Sequence, residues 1–458
     1  MFRLTIAIAC FLLVLALKFG PSMTATSTRH ATASLSTSSV DSSRGWTLYD
    51  RDPNHVWNQL YRALYQRVAR DGKEYGYDEL DPLLWFSTKY LLKNPASQQA
   101  NIALDEFLAA EGEKMIADPL KRAILQRDLW AIFDWTTESE DSSPEKLTLQ
   151  NKLAQVVKRV ALSPAQIAAL PNTYRQAIES KAYATAYDSN RHDLPFLPPD
   201  LFDPRSPWVM LSIRGPDRIA PEHVTAFSGR SVFLILIRLP DGRDSTLEYL
   251  KNLSAFPKPW ILDPETRRPM PNSDLPQFPR GTQLALVRSM VLIDNQGEFK
   301  PTKIVEDVQI RAHRTIPREI PEALNTDRNE ARAALDGYEF KLSRARLFAG
   351  EDGGLRSLTK EDTEFPLFRS HGIDLFEEAS QFPLEGQLRV SLQFCANCHF
   401  RPGVHSMLSR ARLQSVATPE LGQAIPSWDL NYEANITKSW KARQYNWGLL
   451  KGLWRSQP

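Results

Sequence analysis

Between Asp52 and about Lys181, apolar residues recur at helical spacing. Asp52-Pro53 reads as an N-cap followed by Pro at the first helical position, and Trp57, Leu60, Tyr61, Leu64 and Val68 then fall on one face. Ser97 precedes Ile102, Phe107 and Leu108. Pro119 opens a run with Leu120, Ile124, Leu125, Leu129, Ile132 and Phe133 on adjoining faces. Ser163-Pro164-Ala165-Gln166 has the form of a capping box, in which hydroxyl and amide side chains satisfy each other's orphan backbone groups. The acidic stretch from Glu138 to Glu145 belongs on the surface.

After Pro195, Pro198, Pro199, Pro204 and Pro207 the period changes. Trp208 to Ile213 and Val232 to Leu239 are continuous apolar runs of strand length, and Pro240-Asp241-Gly242 is a turn. A second Pro-rich connection covers Pro257 to Pro279. Leu284 to Ile293 and Ile304 to His313 flank Asp294-Asn295-Gln296-Gly297, which predicts a hairpin. Around Tyr338, Phe340 and Leu342, the alternate residues Glu339, Lys341 and Ser343 are expected to face water. Trp440, Trp447 and Trp454 are spaced seven apart, which places them near one stripe of a C-terminal helix docked on a core.

The predicted fold is α+β. A helical domain spans 46–193, a mainly antiparallel β domain spans 194–350, and a small irregular and helical region spans 351–458. No internal repeat is evident.

Leu4 to Leu17 form an apolar run behind Arg3, closed by Lys18 and Gly20-Pro21. That is short for a membrane span and suited to a signal-peptide core, so 1–22 reads as a signal peptide or an uncleaved anchor. The Ser/Thr-rich stretch over 23–45 reads as a flexible tether. Cys10 follows Ala7-Ile8-Ala9 in the manner of a lipoprotein site, but the apolar run continues to Leu17, so Cys10 is read as part of the leader. The expected location is periplasmic or secreted, with membrane attachment only through an uncleaved N-terminal segment.

Composition narrows the function classes. The 458 residues are 42% hydrophobic and 24% charged, which excludes wholesale disorder. Lys+Arg 56 against Asp+Glu 54 leaves a net charge of +2, which argues against nucleic acid as a partner of the whole chain. Pro 32 exceeds Gly 20, consistent with long, stiff connections. No Gly-x-Ser-x-Gly elbow, Walker loop, dinucleotide fingerprint or His-Glu-x-x-His occurs, and the acidic segment Asp71 to Asp81 misses the calcium-loop positions.

With Cys10 in the leader, Cys395 and Cys398 are the two remaining cysteines. They lie in Phe394-Cys395-Ala396-Asn397-Cys398-His399. Cys-x-x-Cys-His is the haem-attachment pattern: two thiols on one tight turn add across the two haem vinyl groups, and the next imidazole reaches the iron. The alternatives are a Cys395–Cys398 disulfide in a secreted binding or structural module, and a zinc site using Cys395, Cys398 and His405 with a fourth ligand from elsewhere. A thioredoxin-like dithiol lacks its βαβ surroundings.

At this motif the chain resembles c-type cytochromes, over the pentapeptide and its flanks from about Phe382 to the C-terminus. The resemblance implies one covalent haem c, Cys395 and Cys398 as thioether anchors, His399 as the proximal iron ligand, and a role in electron transfer or redox sensing. A single motif speaks against the two-haem peroxidases, which need two. The family usually places a Met axial ligand dozens of residues downstream, whereas Met407 and His405 follow so closely that either would have to fold back across the haem at once. His313 and His371 are distal candidates from elsewhere, and five-coordinate iron is the remaining option. After His399, Arg401, Arg410, Arg412, Lys438, Lys441, Arg443, Lys451 and Arg455 outnumber Glu420, Asp429 and Glu433, which suits haem propionates, an acidic redox partner or a solvated basic face. No catalytic constellation emerges before the motif, so that large part is expected to bind rather than catalyse.

Overall fold

The computed structural model describes residues 47–68, 74–76, 78, 90–138, 143–213, 221–257, 260–262, 264–265, 269–316, 334–364, 389–390, 392, 403–406, 424–426 and 430–456. The expected leader and tether lie outside them. Residues 42–458 form one unit of contacts, in which helices pack on both faces of an antiparallel sheet and a helical hairpin follows it.

Six helices come first: α1 (Val56–Tyr65), α2 (Ala96–Ala109), α3 (Pro119–Glu138), α4 (Pro144–Arg159), α5 (Pro164–Ala168) and α6 (Thr173–Glu179). The first begins later than Asp52-Pro53 predicts. Asp52 instead caps the preceding turn, its Oδ1 accepting from the Asn54 amide at 2.9 Å, and His55 is the N-cap. Val68 has left the helix for a two-residue strand, Arg67–Val68, paired with Glu74–Tyr75. The capping box at Ser163 and Gln166 forms as expected.

The sheet comprises β1 (Val209–Ile213), β2 (Ser231–Arg238), β3 (Gln283–Ile293), β4 (Phe299–His313), β5 (Leu335–Leu342), β6 (Leu355–Ser357) and β7 (Ala424–Pro426). Its order is β6-β5-β4-β3-β2-β1-β7, and every pairing is antiparallel. The first six strands therefore form a meander, and a segment from beyond the motif closes its far edge on β1. The predicted hairpin joins β3 to β4. Asp294 Oδ1 accepts from the amides of Gln296 and Glu298, and Gly297 takes φ +77°, where a side chain would be strained. Pro240-Asp241-Gly242 does turn the chain, but into helix α8 (Arg243–Ala255) rather than another strand.

Alternation along the strands divides the sheet into two faces. Leu234, Leu236, Ala285, Val287, Val308, Ile310 and Phe340 join the helices in a core whose members run from Leu48 to Trp454. On the other face Ile237 and Leu284 pack with Tyr249, Leu250 and Leu253 of α8. Phe233 packs there with Val224 and Phe227, the former on helix α7 (Pro221–Ala226).

β5 departs from the simple alternation. Glu339 and Ser343 are buried, and Lys341 is partly buried beside Glu339 at 3.5 Å. Ser343 is occupied as the N-cap of α9 (Arg344–Ala349), accepting from the Arg346 amide.

The C-terminal tryptophans occupy two helices, α10 (Leu430–Lys441) and α11 (Tyr445–Ser456), rather than one. Trp440 lies in the last turn of the first, while Trp447 and Trp454 share the second. Docking on the core is as expected: the Trp447 ring lies 5.8 Å from that of Trp130, and Trp454 is buried. Among the described residues, no helix is long and apolar enough to cross a membrane.

Candidate functional site

Cys395, Cys398, His399, Met407 and His371 lie outside the described residues. His405 is described in its backbone alone, within a one-turn 3₁₀ segment, Gly403–Ser406. That turn begins four residues after His399, and the protein holds it in a buried socket at the end of β4.

The socket is built from three parts. His313, the last residue of β4, is fully buried, and its backbone is fixed by bonds from its N–H to Thr282 O and from the Gly281 N–H to its carbonyl, at 2.9 and 2.8 Å. Its Nδ1 accepts from the Gly403 amide at 3.0 Å, and its Nε2 lies 3.3 Å from Ser406 Oγ. Gln277 supplies the second part, its Oε1 accepting from the Val404 amide at 2.7 Å. Gln277 is steadied by its neighbours, because Tyr249 of α8 donates to the Pro276 carbonyl and Phe278 lies edge-on to the His313 ring. Val404 is the third part, a fully buried side chain in the apolar cluster under α8. Arg311 Nη1 reaches the Ser406 carbonyl at 3.4 Å.

Two features make the fit specific. Gly403 has φ +76°, and a Cβ there would stand 2.1 Å from Gln277 Oε1, so only glycine fits without rearrangement. The His313 ring must also be neutral at Nδ1 to accept from an amide, which leaves its proton on Nε2, facing the Ser406 hydroxyl. Burial, with the positive charge of Arg311 beside it, pushes the imidazole down from its ordinary 6.5 to about 3. Both ring nitrogens are thereby committed to protein partners. His313, a distal iron candidate in the sequence, is instead part of the wall that holds the motif's flank.

Sequence reasoning missed a second set of polar residues, which radiates from α3. This helix is buried almost all round, so its polar side chains need partners from distant parts of the chain. Gln126 exchanges two hydrogen bonds with the backbone of Ile293, extending the pattern of strand β3. Arg127 pairs with Glu306 of β4 at 3.0 Å, and the Glu306 carboxylate also accepts from Ser231 Oγ. Asp128 binds Arg344 through both carboxylate oxygens, and the guanidinium lies over the Tyr61 and Tyr65 rings. Asp134 holds two cations on Oδ2, Arg230 at 2.7 Å and Lys441 at 2.6 Å. Lys441 also donates to Asn446, which donates to Ser228. Burial pushes the Lys441 ammonium down to about 8, with the Asp134 carboxylate opposing and the Arg230 charge reinforcing that shift.

This arrangement redistributes the C-terminal basic residues. Lys441 is internal, Lys438 and Lys451 pair with Glu298, and Lys438, Arg443 and Arg455 are exposed. Arg401, Arg410 and Arg412 lie outside the described residues. Among the described residues no group of three or more His, Cys, Asp or Glu side chains is arranged to hold a metal.

No protein-family model, curated protein or solved structure matches this chain.

Proposed function

We propose that the chain is an exported, c-type cytochrome-like protein that carries one covalent haem and transfers electrons or senses redox state. The observation that carries the reading is Cys395-Ala396-Asn397-Cys398-His399, which contains both cysteines outside the leader. The Cys395 and Cys398 thiols would each form a carbon–sulfur bond to a haem vinyl group, the thiol hydrogen passing to the other vinyl carbon, and His399 would bind the iron. The bound group would supply a one-electron ferrous/ferric couple, exchanging with a carrier protein of acidic surface. Arg443 and Arg455, with Lys438, which also pairs with Glu298, are exposed described cations of the tail that such a partner would meet. The buried flank at Gly403–Ser406 supports the reading, because a cofactor site needs its ligand loop tied to a rigid scaffold.

The test is the full chain, expressed with haem-attachment machinery and purified. A Soret band that survives acid-acetone extraction is expected. Cys395→Ser and Cys398→Ser should each remove one thioether link, and His399→Ala should change the iron spectrum. A colourless protein with a Cys395–Cys398 disulfide would establish the secreted binding module instead.

A further inference from the structure

We infer that the outward face of α11, from Tyr445 to Arg455, is a docking surface for an acidic protein. The inference rests on the reading above for the partner's redox role and gives that partner a place to bind, but the surface itself needs no haem.

The core uses one side of this helix. Asn446, Leu450 and Trp454 recur every four residues and are buried, which fixes α11 on the rest of the molecule. Trp447, Leu449 and Leu453 are half-buried beside that stripe. Tyr445, Gly448, Gly452 and Arg455 recur at intervals of three and four on the other side, all exposed, over about 15 Å of helix. Beyond the helix's own backbone, nothing in the chain comes within 4 Å of the point where a Cβ would stand on Gly448 or Gly452, so the strip between the tyrosine and the arginine is open. Tyr445 is 76% exposed, more than any other large hydrophobic side chain among the described residues.

The exposed charge on the hairpin has one sign. Over 430–456 the acidic side chain is Glu433, which is buried, whereas Lys438, Arg443 and Arg455 are exposed. The neighbouring Glu298 is already held by Lys438 and Lys451, at 3.3 and 3.1 Å. A face kept merely for solubility mixes both signs and gains nothing from an exposed aromatic ring. Tyrosine and arginine are what protein interfaces favour: a ring that buries a large area at small entropic cost, and a guanidinium that meets carboxylates in a fixed plane. The complementary surface is therefore a carboxylate-rich protein patch with an apolar slot for Tyr445. An anionic lipid surface fits less well, because Leu450 and Trp454 are turned to the core and have nothing to offer a bilayer.

The experiment uses the full-length protein, with its haem content recorded, and two probes: a fluorescein-labelled peptide of alternating glutamate and leucine, and vesicles of phosphatidylglycerol. Peptide binding, followed by anisotropy, should protect the amides of α11 from hydrogen exchange and weaken as salt is raised. Arg443→Glu combined with Arg455→Glu should weaken it about tenfold or more, and Tyr445→Ala roughly fivefold with an unchanged salt dependence. Arg205→Glu, which reverses an exposed cation in the loop before β1, should leave it unchanged. Wild-type affinity in the double charge reversal, or protection confined to another part of the chain, would overturn the inference. If the double variant fails to fold, unchanged affinity in Tyr445→Ala would overturn it equally. Binding to the vesicles without binding to the peptide would replace the acidic protein by a lipid surface. A colourless protein that binds the peptide through α11 would defeat the haem reading and keep the docking surface, and a haem-loaded protein without such binding would do the reverse.

Discussion

Two buried sites tie the C-terminal quarter of the chain to the rest, and they do so by opposite chemistry. Around Asp134, two cations from distant segments converge on one carboxylate, so the site is stabilised by charge and strained by an excess of positive charge. Around His313, the bonds involve an uncharged ring, two amide hydrogens of neighbouring residues and a hydroxyl, and the site functions because the imidazole stays neutral. The difference shows how one fold can anchor two attachments differently. The ionic clasp fixes the α10–α11 hairpin against α3 and the start of β2, where Coulomb attraction in a dry interior is strong but unforgiving. The socket holds the flank of the motif through an uncharged ring and an amide, with the Arg311 guanidinium on the Ser406 carbonyl.

The comparison predicts unequal costs of breaking the two sites. Asp134→Asn leaves Arg230 and Lys441 buried without their shared carboxylate, and should destabilise the protein by about 3–5 kcal/mol in urea unfolding. Lys441→Met should cost far less than Asp134→Asn, because Arg230 still balances Asp134 and the buried ammonium is removed. Equal losses in the two variants would show that the clasp does not carry an excess of positive charge. His313→Leu deprives the Gly403 amide and the Ser406 hydroxyl of their partner and should cost about 1–3 kcal/mol. A loss as large as that of Asp134→Asn would erase the distinction between the sites.

The smallest effects are slopes with pH, and they fall in separate windows. Lys441 has a folded pKa of about 8 against an ordinary 10.5, so between these values the unfolded chain binds more protons and stability rises with pH. His313 has a folded pKa of about 3 against an ordinary 6.5, so its contribution also rises with pH, but across that acidic window. Each slope is at most about 1.4 kcal/mol per pH unit. Lys441→Met should flatten the alkaline slope and His313→Asn the acidic one. A variant that flattened the other residue's window would contradict the assignment.

Local features of the fold were legible in the sequence where the physics is local. The Ser163–Gln166 box, the long helix opened by Pro119 and the Asp294–Gly297 hairpin each depend on residues within a few positions of one another. The α+β layout followed from the change of period after the Pro cluster near Pro199. The errors occurred where a local pattern met distant partners. Asp52-Pro53 had the form of a cap but closes a preceding turn. Glu339 and Ser343 obeyed strand alternation yet are buried by neighbours that no period-two pattern reveals. The Trp440, Trp447 and Trp454 spacing continued across a break between α10 and α11, because a heptad count is blind to where a helix ends. Lys441 counted as one more exposed cation, although Asp134, 307 residues away, holds it in the interior. The chemistry proposed for the motif rests on five consecutive residues, whereas the socket behind its flank draws on Gln277, His313 and Gly403 and has no sequence signature.

The central claim is that one haem is bound covalently through Cys395 and Cys398. The most direct test is the intact mass of the denatured full-length protein, made with haem-attachment machinery present, together with the mass of the proteolytic peptide that contains both cysteines. The account predicts one haem added per chain, located on that peptide and absent when both cysteines are replaced by serine. A mass equal to the bare polypeptide less two hydrogens, with a Cys395–Cys398 disulfide on the peptide, would contradict it.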